Sequence, residues 1–101
     1  MLKFIKTIHG ERTLRTWVKL FQNNHMLKDI TIEDYSAETR THKVMSALGK
    51  ACLEFDLPKP IWLNSTIADF KRTAKTRFTK DCFIESVDFD YLELHVIEED
   101  Y

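Results

Sequence analysis

The stretch from Thr76 to Glu98, TRFTKDCFIESVDFDYLELHVIE, constrains the fold more than any other part of the chain. Val87, Phe89 and Tyr91 alternate with Asp88 and Asp90, the period of a strand with one buried face. At Tyr91–Leu92 the apolar phase slips by one residue, and Leu92, Leu94 and Val96 carry it onward around Glu93 and His95. A one-residue slip sends side chains to the opposite face, so a bulge or a strand start is expected there. Thr76-Arg77-Phe78-Thr79 favours extended structure leading into this stretch.

The strands that could pair with it lie near the start. Thr13 to Gln22 fits a helix by the spacing of Leu14, Trp17, Val18 and Phe21, and a strand by residue type. The sequence after it favours the strand. Asn23-Asn24-His25 is turn chemistry, because Asn tolerates positive φ, and Leu27 to Asp34 alternates Ile30 and Ile32 with Asp29, Thr31 and Glu33. A hairpin is the expected result. Residues 2–8 alternate loosely before Gly10, and residues 1–12 are set apart as a peripheral strand or arm.

Between the two strand regions the period changes. Ser36 is an N-cap candidate with Glu38 in the first turn, and Val44, Leu48, Ala51, Cys52 and Phe55 form one apolar stripe at helical spacing. Arg40, Lys43, Lys50 and Glu54 fill other positions. Pro58 and Pro60 end that helix. Ile61-Trp62-Leu63 is an apolar connection, and Asn64 or Ser65 caps a second helix with Ile67, Phe70 and Ala74 on one face. The expected fold class is α+β: an antiparallel sheet, made of an N-terminal hairpin and C-terminal strands, with two helices packed on one face. Val44, Leu48, Cys52 and Phe55 should meet Trp62, Phe70, Phe89 and Leu94 in the core.

The run KTRFTKDCFIESVDFDYLELHVIEED from Lys75 to Asp100, with its TRFT, FIES and DFDYLE phrases, resembles the C-terminal half of small uncharacterised bacterial proteins of about this length. The resemblance covers residues 27–100. It implies no activity, cofactor or site residue.

Size and charge bound the function. A chain of 101 residues, 44% apolar and 31% charged, is one globular domain able to bury a core. No run approaches the roughly 20 apolar residues of a membrane helix, and the N-terminus shows no signal-peptide core, so a cytoplasmic location without membrane contact is expected. Cys52 and Cys82 are then expected as free thiols. Net charge is −1, yet all 15 Lys and Arg fall within residues 1–80, which carry a net +7, whereas residues 81–101 carry −8. If Thr76–Lys80 pairs antiparallel with the acidic stretch, Arg77 and Lys80 come within reach of Asp88, Asp90 or Glu93.

Motifs for chemistry are missing. Gly10 and Gly49 stand alone, so neither a dinucleotide nor a phosphate loop is present, and no Gly-x-Ser-x-Gly or His-Glu-x-x-His occurs. His9, His25, His42 and His95 lack the close pairing that zinc wants. Asp88 and Asp90, with His95 beyond, could hold a hard cation if they shared a strand face, against the plainer reading of a solvated face. Cys82 would need a neighbouring base to act as a nucleophile; otherwise it is a partly buried thiol. Lys71, Arg72, Lys75, Arg77 and Lys80, interleaved with Phe70 and Phe78, are the candidate contacts for single-stranded nucleic acid. Against that stands the sequence pI of about 6.4. The expectation is a non-catalytic protein-interaction or self-associating module, a protein partner or homodimer, with no cofactor and no metal. Single-stranded nucleic-acid binding through residues 71–80 is the alternative, and a small enzyme or metal-binding protein using His95, Asp88 and Asp90 comes third.

Overall fold

The computed structural model of the protein describes residues 13–100; the peripheral strand or arm expected within residues 1–12, and His9 with it, lie outside the described residues. Strand β1 runs Thr13–Gln22 and β2 His25–Asp34; helix α1 is Arg40–Phe55 and α2 Asn64–Thr73; β3 is Lys75–Thr79 and β4 Tyr91–Asp100. The four strands form one antiparallel sheet in the order β2-β1-β4-β3. This is the α+β fold expected from the sequence.

Turn chemistry closes the hairpin. Asn23 and Asn24 both have positive φ, 53° and 66°, the conformation a two-residue turn needs to match strand twist. Pairing then proceeds from Gln22–His25 and slips once, leaving Leu27 without a cross-strand partner. On the other flank, β1 pairs with β4 from Phe21–Tyr91 onward. The phase slip in the sequence therefore marks a strand start at Tyr91.

The residues before Tyr91 form a loop and no strand, contrary to the alternation of Val87, Phe89 and Tyr91. Phe83 and Phe89 meet edge to face at 5.2 Å and are buried at the end of the core. Asp90 takes the Asn23 N–H on its Oδ2 at 2.7 Å, its own N–H donates to the Phe21 carbonyl, and the Asp88 carbonyl accepts from Gln22 Nε2. Packing two rings and tying down the β1–β2 turn outweighed local strand preference.

Leu14, Thr16, Val18 and Leu20 of β1, Leu92, Leu94 and Val96 of β4, and Phe78 of β3 point to the helix side. Against them α1 packs Val44, Ala47, Leu48, Ala51, Cys52 and Phe55. Its N-cap is Thr39, whose Oγ1 accepts the His42 N–H at 3.2 Å; Ser36 sits three residues earlier, accepting from the Glu38 N–H within the preceding turn. Lys43 is also buried, although its spacing on the helix suggested a solvent position. Asp56, at φ 58°, ends α1, and Leu57 N–H reaches back to the Cys52 carbonyl. Helix α2 begins after Leu63, whose N–H donates to Thr66 Oγ1, so Thr66 supplies the polar group expected of Asn64 or Ser65. Of its predicted apolar face, Phe70 is buried, Ile67 is exposed, and Ala74 is the left-handed cap.

Leu48 and Leu53 separate core from surface on one helix, being 2% and 83% exposed. Leu48→Ala should cost about 2–5 kcal/mol in denaturant unfolding, while Leu53→Ala should stay within about 0.5 kcal/mol. Equal effects would mean that α1 faces the sheet differently.

Candidate functional site

An apolar opening lies between α1 and α2, and the break between the helices builds it. Pro58 and Pro60 keep the connection extended, and Ile61 N–H donates to the Cys82 carbonyl at 2.7 Å. That anchor sets Trp62 edge-on to Phe70 at 5.6 Å and to Phe78 at 4.9 Å. The resulting cleft, about 380 Å³, has Val44, Trp62 and Phe70 as its floor. Met45, 47% exposed, and Ile67 stand at its mouth. Arg40, whose guanidinium carbon lies 5.1 Å from the Phe70 ring centre, and Lys71 complete the lining with Thr41. Among the described residues, Arg40 and Lys71 are the charged groups of its lining. Trp62 Nε1 is buried with no hydrogen-bond partner.

The residues singled out for nucleic acid do not make one patch. Lys71 lines the cleft, whereas Arg72 is bound to Asp69 at 2.8 Å and joins Lys75 and Arg77 around a separate polar hollow beside β3. Lys80 opens the short 3-10 turn Lys80–Cys82. Phe70 and Phe78, the rings that would stack on bases, are core residues.

On the sheet face opposite α1 and α2, Glu93 organises the charges. It is 4% exposed and bonds Lys19 Nζ at 3.1 Å and Arg77 Nε at 3.5 Å. Asp90, also considered as a partner for the basic run, instead takes the Asn23 N–H at the β1–β2 turn, which Asp88 meets through its backbone carbonyl. Lys19 in turn lies over the Trp17 ring at 3.8 Å, Arg77 over Tyr91 at 4.6 Å, and Tyr91 stacks on Phe21 at 4.9 Å. Burial alone would push the Glu93 carboxyl up; the Lys19 hydrogen bond and charge, with Lys75 and Arg77 nearby, override it and hold the carboxyl below its ordinary 4.5. His95, next to Lys75 on this face, is held below its ordinary 6.5 by burial and by the Lys19 and Lys75 cations.

The groups considered for catalysis or metal are kept apart. His95 is four residues along β4 from Tyr91, about 13 Å from the turn where Asp88 and Asp90 are engaged. Among the described residues, no three His, Cys, Asp or Glu side chains gather as a metal would need. Cys82 is a buried free thiol on the core side, pushed up chiefly by burial, with Asp81 adding to this and Thr79 hydrogen bonds opposing it. Cys52 is likewise free, pushed up to about 11 by burial. Both stay protonated near neutral pH, the wrong form for attack. The cleft was not legible beforehand, because Ile67 was expected on the buried face of its helix and no pattern in the sequence singled out Met45. No family model, no curated protein and no solved structure matches the chain.

The lowered carboxyl gives a signed prediction. A depressed folded pKa contributes stability above the unfolded pKa and loses it as pH falls through the folded value. Glu93→Gln should therefore cost about 1–3 kcal/mol at pH 7, and its deficit relative to wild type should shrink below about pH 4. Unfolding at a series of pH values checks this, and a constant deficit down to pH 3 would contradict the network.

Proposed function

We propose that the protein is a non-catalytic interaction module that receives an apolar, acid-flanked helical segment of a partner protein in the cleft between α1 and α2. The observation behind this reading is the cleft itself. It offers an apolar floor, exposed Met45 and Ile67 at the mouth, and a lining whose charges are all positive. Grooves between helices take amphipathic helices by their i, i+3/i+4 and i+7 anchors, and basic walls favour acidic flanks. Nothing lining the cleft pairs a nucleophile with a base, which supports binding over turnover.

Trp62 supplies the reporter once Trp17 is replaced by Phe. Titration with an amphipathic peptide of Leu and Glu at helical spacing should change Trp62 emission with a Kd in the micromolar range. The same peptide with Lys for Glu should bind more weakly, and Met45→Glu should weaken the Glu peptide at least about tenfold, or about 1.4 kcal/mol. A single-stranded oligothymidylate should produce no change at physiological salt. Response to the oligonucleotide and none to either peptide would replace this reading with the nucleic-acid one.

A further inference from the structure

The outer side of β2 is the longest unpartnered edge in the described sheet. Strand order places β2 at the margin, and among the described residues only β1 pairs with it. The shorter edge, β3, is blunted: it has five residues, Lys75 and Arg77 along it, and the Thr73 hydroxyl on the Lys75 carbonyl. Strand β2 has ten residues and no proline, with Met26 and Leu27 about half exposed. Beside it runs a depression of about 430 Å³ lined by Lys28, Asp29, Ile30, Glu54 and Phe55.

The charges along β2 point to what fits there. Lys28, Ile30, Ile32 and Asp34 pair with Leu20, Val18, Thr16 and Leu14, so they share the helix-side face. Read antiparallel against itself about Thr31, that row is its own complement: Lys28 meets Asp34, Ile30 meets Ile32, and each pair occurs twice by symmetry. Other centres are worse. A two-fold at Asp29 or Lys28 opposes like charges, and one at Ile30 sets Lys28 against Ile32. A two-fold axis normal to the sheet keeps both copies' helices on one side and joins two sheets into one. The opposite row has one cost, Asp29 across from Glu33. It is offset because Asp29 already accepts from Trp17 Nε1 at 2.9 Å, and Glu33 holds Arg15 at 3.1 Å and the Tyr35 hydroxyl at 2.8 Å.

We propose that the protein self-associates through β2, edge to edge and antiparallel, with Lys28 of each copy paired to Asp34 of the other. The surface is distinct from the α1–α2 cleft, so either can fail without the other.

The test is a charge swap read by sedimentation over a concentration series. Wild type should pass from monomer to dimer in the micromolar range. Lys28→Asp should weaken the dimer about tenfold or more, since two attractive pairs become repulsive, and Asp34→Lys should do the same. The double variant should recover wild-type association. An equimolar mixture of the two single variants should form a heterodimer, because both cross-pairs are then opposite in charge. Positions 28 and 34 are about 20 Å apart within one strand, so neither result can arise inside one chain. Asp34 also accepts the Ser36 N–H in its own turn. Should Asp34→Lys fail to fold, amide exchange in wild-type β2 decides: it should slow with concentration, and Lys28→Asp should abolish that slowing. Met45→Glu should leave the dimer unchanged. A chain that stays monomeric at all concentrations, or a dimer indifferent to Lys28→Asp, overturns the proposal.

Discussion

One carboxylate, Glu93, ties together the sheet face opposite α1 and α2, and the described charges on that face are arranged around it. Helix α1 packs its apolar stripe on one side of the four-stranded sheet, and on the other side Glu93 is only 4% exposed. Lys19 and Arg77 pair with it, and those cations in turn lie on the Trp17 and Tyr91 rings. A buried carboxylate without those partners would carry a desolvation cost that the fold could not ignore, so the pairing is a condition of the sheet's geometry.

That arrangement decides which surfaces are left for function. Phe70 and Phe78 are in the core, Phe21 and Tyr91 are stacked on each other, and part of the basic run is neutralised by Glu93 and Asp69. Among the described residues, two apolar or polar-edge surfaces stand out: the cleft framed by Met45 and Ile67, and the outer side of β2. Both are suited to contacts with polypeptide, where buried apolar area and backbone hydrogen bonds supply affinity.

The fold was legible in the sequence wherever one period dominated. The hairpin followed from Asn23-Asn24 between two strand-like runs, α1 from its stripe, and the start of β4 from the phase slip at Tyr91. Departures came where tertiary contacts outweighed local preference. Val87 to Asp90 alternate like a strand, yet Phe83 against Phe89 and Asp90 against Asn23 hold them as a loop. Thr39 and Thr66 displaced nearer-looking caps because capping depends on geometry that residue type leaves open. The basic run was visible as composition, but its division between cleft, edge hollow and ion pairs required the fold. The cleft was invisible for a related reason: Trp62 becomes a floor only when Ile61 is tied to Cys82.

Placing a photo-crosslinking side chain at Met45, with a second protein carrying it at exposed Glu85 as a control, tests the interaction reading most directly. Irradiation in cells that make the protein should yield a discrete protein adduct from position 45, lost on adding Ile67→Glu, and none from position 85. Nucleic acid as the adduct at position 45, or no adduct distinguishable from the control, would contradict the account.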